Sequence, residues 1–405
     1  MRSNLSRHPL IWATAVVLTL ATIPDTLAKK PPNDPPPEPD PAPVAYKMIL
    51  LGEHNGGTVD PVGLNNLGVM VGANHGGWIC SIDANGDPVM RTLSLLIDDT
   101  GVPESFDWAK CGAKAINDAG QICGYGMQQF GEPVGSIQRA IRFDPIVDPE
   151  NGVVVGYSPL PLGTLDSADD PTSTSAAYGI NEWGDVTGDS VAYPSIRPEA
   201  FLWMDEVKQM IGLGDLGGDE STGASINNLG DVCGTSYKPS TNVAVRRAFR
   251  KSLGQPMEDL GYIKSNRMYE NSDGYGINDD GFVVGWANAG KYYHAFLDIP
   301  GIGMIDLGTL DEGYSKAVDI NEHGDIVGNS QVPNAFVGAI FLWTPEHGMV
   351  NVDETIENLP ADFKGWMSVR AINDHGWICG RLNGNSGSTE GFVLIPTKSL
   401  EHWGD

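Results

Sequence analysis

A ten-residue phrase recurs seven times, and no other feature limits the fold as tightly. It reads GLNNLGVMVG (63–72), AINDAGQICG (115–124), GINEWGDVTG (179–188), SINNLGDVCG (225–234), GINDDGFVVG (276–285), DINEHGDIVG (319–328) and AINDHGWICG (371–380). Its asparagines, Asn65, Asn117, Asn181, Asn227, Asn278, Asn321 and Asn373, are 52, 64, 46, 51, 43 and 52 residues apart. A period near 50 points to units that bury their apolar faces only against their neighbours. Asn-x-x-Gly between two apolar runs is a hairpin loop. The Asn side chain bonds the backbone ahead of it, and Gly takes a positive φ to bring the chain back. Those glycines are Gly68, Gly120, Gly184, Gly230, Gly281, Gly324 and Gly376. A side chain there costs roughly 1–2 kcal/mol.

Two further phrases follow the first. One is AFLW at 200–203, HAFL at 294–297, IFLW at 340–343 and GFVL at 391–394. RAIRF (139–143) and RAFRK (247–251) are more polar forms, and GWICS (77–81) is a diverged one. The other is PLGTL (161–165), IGLGDLGG (211–218), MEDLGYI (257–263) and MIDLGTL (304–310). Each repeat therefore offers four short strands, and 51 glycines argue for turns over a helical bundle. The expected fold is all-β: a seven-bladed β-propeller of four-stranded blades. An open β-solenoid is the alternative. The seventh repeat lacks its last strand, while MILLG (48–52) is such a strand placed before the first repeat. The strand at about 47–52 is therefore expected to pair with 391–395 and close the ring.

The ends read differently. Arg2 and Arg7 precede an apolar run from Leu10 to Ile23, too short to span a bilayer, and Ala28 suits a cleavage point. Residues 1–28 read as a secretory signal and 29–45 as a Pro-rich linker. The propeller is expected over 46–396, with a tail at 397–405. The chain is expected outside the cytoplasm, extracellular or periplasmic, with no membrane span. Its 52 acidic and 25 basic residues give a net charge of −27, which disfavours nucleic acid as a partner.

The IN-x-x-G-x-V-V-G phrases, His294-Ala295-Phe296, AFLW at 200–203 and DLGTL at 306–310 resemble the HAF-repeat (probable extracellular repeat) family of bacterial proteins. The resemblance covers about 46–396. It implies export and repeat architecture, and it implies no reaction and no catalytic residues. The place of His294 holds Arg139, Glu199, Arg247 and Glu390 in other repeats.

Three of five cysteines, Cys123, Cys233 and Cys379, share one repeat position and read as small buried apolar side chains. Hairpin register places Cys111 opposite Met127, and a Cys80–Cys111 bridge stays open. GWANAGK (285–291) lacks the Ser or Thr and the helix of a P-loop, and no spacing suits zinc or calcium. No cofactor or metal is expected. The connections between the second and third strands vary most and leave every repeat at the same point, so they should share one face. They carry seven basic and four acidic residues, which makes that face the less acidic one. Rings and cations together suit sugars or a protein. The candidate ligand residues are Arg139, Arg197, Tyr237, Lys238, Arg247, Trp286, Tyr292, His294 and Arg381. The expected function is a secreted, monomeric, non-enzymatic binding module for a glycan or protein. A polysaccharide lyase or hydrolase on the same scaffold, or a structural cell-surface component, is the alternative. The enzyme reading requires acidic, basic and Tyr groups converging at one channel mouth.

Overall fold

The computed structural model describes residues 44–397, less 101, 103–104, 133, 167–170, 240–244, 264–269, 333–337, 360–362, 364 and 385–388. The expectations for the signal and most of the linker and tail lie outside these residues. Seven antiparallel sheets form a ring. Blades 1 to 6 are meanders over 63–92, 106–163, 174–212, 221–259, 272–308 and 315–351. Among the described residues the only helices are two single 3₁₀ turns, Leu93–Leu95 and Val352–Thr355.

Blade 7 joins the two ends of the chain. Its inner strands Trp366–Ile372, Ile378–Asn383 and Thr389–Pro396 are completed by Tyr46–His54. Lys47 pairs with Ile395, Ile49 with Val393 and Leu50 with Phe392. The ring is closed, as the missing seventh strand required. The edges of the first and last repeats thereby find partners, which removes the exposed strand edges an open stack would leave.

The third strand of each blade supplies the core. Trp78, Ile141, Phe201, Phe249, Phe296, Phe341 and Phe392 occupy one repeat position, and all are fully buried. Each contributes roughly 1.5–3 kcal/mol by leaving water. The second glycine of the phrase is explained by the inner strand beside it. A Cβ on Gly188 would lie 1.9 Å from the Ala176 carbonyl oxygen, and one on Gly285 1.9 Å from that of Asp273. A bulge in the inner strand, between Ala177 and Gly179 in blade 3, accompanies this close approach.

All five cysteines are buried and free. Burial pushes the thiols of Cys80, Cys111, Cys123 and Cys233 up to about 12. Cys111 is not opposite Met127, because the register is irregular between Asp107 and Gly112. Asp107 takes that place, and the Cys111 thiol faces the Gly76 carbonyl oxygen at 3.2 Å.

Candidate binding site at the loop end of the ring

Antiparallel meanders give the ring two different ends. The Asn-x-x-Gly turns join the first and second strands at one end. The variable loops, and the connections from each blade to the next, lie at the other.

The turn end is a pair of closed hydrogen-bonded belts. In Asn65 the Oδ1 atom accepts from the Leu67 and Val69 N–H groups and shapes the turn. Its Nδ2 donates to the Asn117 carbonyl of the next blade at 3.0 Å. Asn117, Asn181, Asn227, Asn278 and Asn321 repeat this link at 2.9 to 3.4 Å. Asn373 returns it to the Asn65 carbonyl at 3.0 Å. Gly68, Gly120, Gly184, Gly230, Gly281, Gly324 and Gly376 all have positive φ.

A second belt uses the residue after each Asn. The N–H of Asn66 donates to Asp118, Asp118 to Glu182, Glu182 to Asn228 and Asn228 to Asp279. Asp279 donates to Glu322, Glu322 to Asp374, and Asp374 to the Asn66 side chain. Five carboxylates thus share one circle. Glu322 is pushed up to about 7, by burial first and then by Asp279, Asp374 and Asp280. Among the described residues no His, Cys, Asp or Glu group is arranged to hold a metal.

At the loop end, chemistry gathers where blades 4, 5 and 6 meet. The inner strand Ser272–Ile277 starts there and places Asp273 and Tyr275 toward the neighbouring blades. Asp273 receives Arg246 Nε at 3.2 Å, Thr235 Oγ1 at 3.3 Å and the Tyr275 hydroxyl at 3.3 Å. Trp286 Nε1 donates to the Tyr275 oxygen at 3.0 Å. Burial raises the Asp273 carboxyl above its ordinary range, and Arg246 opposes this. Burial, then the Asp273 charge, pushes Tyr275 up to about 12, so its hydroxyl keeps its proton near neutrality.

From Tyr275 a strip of rings runs outward over blades 5 and 6. Trp286 lies 5.1 Å from Tyr293, Tyr293 4.6 Å from Tyr314, and Tyr314 4.7 Å from Tyr292. Cations cap its faces. Arg246 lies over Trp286 at 5.1 Å, Lys316 over Tyr275 at 4.2 Å and Lys291 over Tyr292 at 4.7 Å.

The expected ligand residues divide. Trp286 and Tyr292 belong to the strip. Arg381 lies in blade 7, 3.7 Å from Asp60 and over the Trp366 ring. Arg197 is half-exposed and paired with Glu220 at 2.8 Å. Lys238, beside half-buried Tyr237, is paired with Asp259 at 2.6 Å. Arg139 and Arg247 are 1% and 6% exposed, so neither is presented to a ligand. Arg139 instead donates to Gln128 and to the Ser173 carbonyl of the next blade, and Arg247 faces Asp259, Glu270 and the Tyr262 ring. His294 bonds Asp306 at 2.9 Å on the outermost strand of its blade.

The less acidic variable loops share their end of the ring with acidic neighbours. The connections between blades emerge at the same end, and in sequence they hold seventeen acids against three bases, Lys264, Arg267 and Lys364. Near the axis, Arg246, Lys316, Arg370 and Arg381 form a local cluster of cations. Asp273, Tyr275, Lys316 and Arg370 escaped the sequence reading because they sit on inner strands, not in loops. Aligning the repeats on Asn reveals them. The fifth place before it holds Asp60, Asp273 and Lys316, and the third holds Lys114, Tyr178, Tyr275 and Arg370, among small or apolar counterparts.

No protein-family model and no curated protein matches the chain. Among solved structures, TolB from Acinetobacter baumannii is 14% identical at a TM-score of 0.38, over 69% of this chain and 64% of that one. The β-propeller domain of the Trilobed protease from Pyrococcus furiosus is 10% identical at 0.42, over 89% and 98%. An acylaminoacyl peptidase from Pyrococcus horikoshii is 9% identical at 0.34, over 80% and 57%.

Proposed function

We propose that this chain is an exported propeller of the HAF-repeat kind that binds a glycan at its loop end. The observation that supports it is the strip Tyr275–Trp286–Tyr293–Tyr314–Tyr292. Flat apolar faces stack on sugar rings, while cations beside them meet hydroxyl or acidic groups. Tyr314 is 41% exposed and the other four rings are half-buried, so the strip has both support and an open side. The test is gel-retardation affinity electrophoresis on soluble polysaccharides. Trp286→Ala with Tyr314→Ala should abolish retardation while circular dichroism stays native. Unchanged retardation of that folded variant refutes the site.

A second reading has one observation in its favour. Arg246, Thr235 and Tyr275 converge on the Asp273 carboxylate, a grouping that can also serve acid–base chemistry on a polysaccharide. Release of new reducing ends from a bound polysaccharide, lost in Asp273→Asn, is the result that supports it.

A further inference from the structure

We propose that the axial end of the strip is an anion subsite and that the glycan is acidic, carrying a carboxylate or sulfate on the sugar nearest Tyr275. The inference rests on the glycan reading and adds the charge of the ligand.

The argument begins with Lys316. It is the second residue of the inner strand Ser315–Ile320, at the loop end of blade 6. Its ammonium lies 4.2 Å from the Tyr275 ring centre and makes no ion pair or hydrogen bond with the described residues. Asp273 is the acid nearest in effect, but that carboxylate already receives Arg246, Thr235 and Tyr275. Arg370 approaches from blade 7 and shares Asp60 with Arg381, at 3.1 and 3.7 Å. Arg246, Lys316, Arg370 and Arg381 thus face Asp60 and Asp273, while Asp319, on the strand of Lys316, accepts from the Ile320 and Ile372 N–H groups, leaving positive charge in excess and Lys316 with no carboxylate of its own.

Such an excess works against the fold unless something offsets it. Burial lowers the Lys316 pKa, Arg370 and Arg246 lower it further, and Asp273 opposes them. A chain with 52 acids against 25 bases has ample carboxylates with which to neutralise a purely structural lysine, yet none pairs with this one. An ammonium with open donor sites beside a guanidinium, at the head of a row of rings, suits one acidic group on a sugar. The surrounding acids confine the attraction to the axis and repel polyanions elsewhere, so charge here selects a position along the glycan more than it adds general affinity.

The test is affinity electrophoresis and calorimetry with three soluble polymers: polygalacturonate, chondroitin sulfate and neutral dextran. Variants are Lys316→Gln, which keeps length and polarity, and Trp286→Ala. The wild type should bind one or both acidic polymers at least tenfold more tightly than dextran. Lys316→Gln should lose about tenfold for the acidic polymer, as expected for one charge-assisted contact. Its melting temperature should be unchanged or higher, and dextran binding unchanged. A preference for polygalacturonate assigns the carboxylate, and one for chondroitin sulfate the sulfate. Equal binding of dextran, or an unaffected Lys316→Gln, overturns the acidic subsite while leaving the glycan reading intact. An unaffected Trp286→Ala overturns the glycan reading itself. Retention of none of the three polymers overturns both.

Discussion

The closing link of the asparagine belt can be cut without disturbing the turn that carries it. In Asn373→Asp, one oxygen still accepts from the N–H groups of His375 and Trp377, as Oδ1 does now at 3.1 and 2.9 Å. The Nδ2 donor to the Asn65 carbonyl is lost. The Asn65 carbonyl keeps the Gly68 N–H at 3.0 Å, so the loss is one buried hydrogen bond, about 1 kcal/mol net, plus about 1–3 kcal/mol for the new buried carboxyl oxygen left without a donor, about 2–4 kcal/mol together. With an unfolding entropy of about 2.1 cal/mol/K per residue over roughly 350 residues, about 3 kcal/mol lowers Tm by about 4 °C. Asn227→Asp cuts the equivalent link to the Asn278 carbonyl inside the chain and should cost the same. Thermal and urea unfolding of both variants decide the matter. In a closed ring the two losses agree within experimental error. In an open stack the last repeat has no first repeat beside it, and Asn373→Asp changes almost nothing. That result, with Asn227→Asp destabilised, refutes closure. Acid supplies an internal control. Once protonated, the carboxyl introduced by Asn373→Asp can donate again, so the loss should be smaller at about pH 5 than at about pH 8.

Other outcomes follow from groups away from the strip. Arg250 bonds the Gly281 carbonyl of the next blade at 2.9 Å and Asp298 at 3.0 Å, with side chains only 8% and 3% exposed. Arg250→Met should cost about 3–5 kcal/mol by leaving that carboxylate unpaired, and adding Asp298→Asn should recover part of it, measured by urea unfolding. Glu322 has a folded-state pKa of about 7, above its unfolded value, so the folded chain holds the extra proton between those values. Stability from this group therefore falls as pH rises through 7. Glu322→Gln should match the wild-type Tm at about pH 4 and exceed it at about pH 8. The five thiols are buried, four of them with pKa about 12, so a soluble thiol reagent should label none in the native chain and all five in urea.

Closure was legible because it is a matter of counting strands. A unit short of one strand at the C-terminus and a spare strand before the first repeat leave one economical pairing, Ile49 with Val393 and its neighbours. The inter-blade role of the asparagine was not legible. Its Oδ1 serves the local turn, which a single repeat displays, whereas its Nδ2 serves a carbonyl about 50 residues away, which only the ring supplies. The second belt had a visible trace in the Asn, Asp or Glu that follows every one of the seven asparagines. Arg139 and Arg247 were misplaced for a related reason. Being near a variable loop says nothing about whether a side chain turns outward or lies against the next blade.

The division between scaffold and site follows from the same geometry. A position whose contact with backbone recurs in every blade holds the same residue in all seven repeats: Asn for the link to the next blade, Gly beside the inner strand of its own blade. A position facing the axis has no such obligation, since its neighbours differ around the ring. Chemistry can therefore accumulate there only as departures from the repeat. Thr222, Asp273 and Lys316 are one repeat position in three successive blades, and each does something different. Bulk charge obscures this. A chain at −27 gathers a few cations near the axis, Lys316 and Arg370 on inner strands and Arg246 and Arg381 on the strands behind them, where the packed sheets hold them close together despite their repulsion.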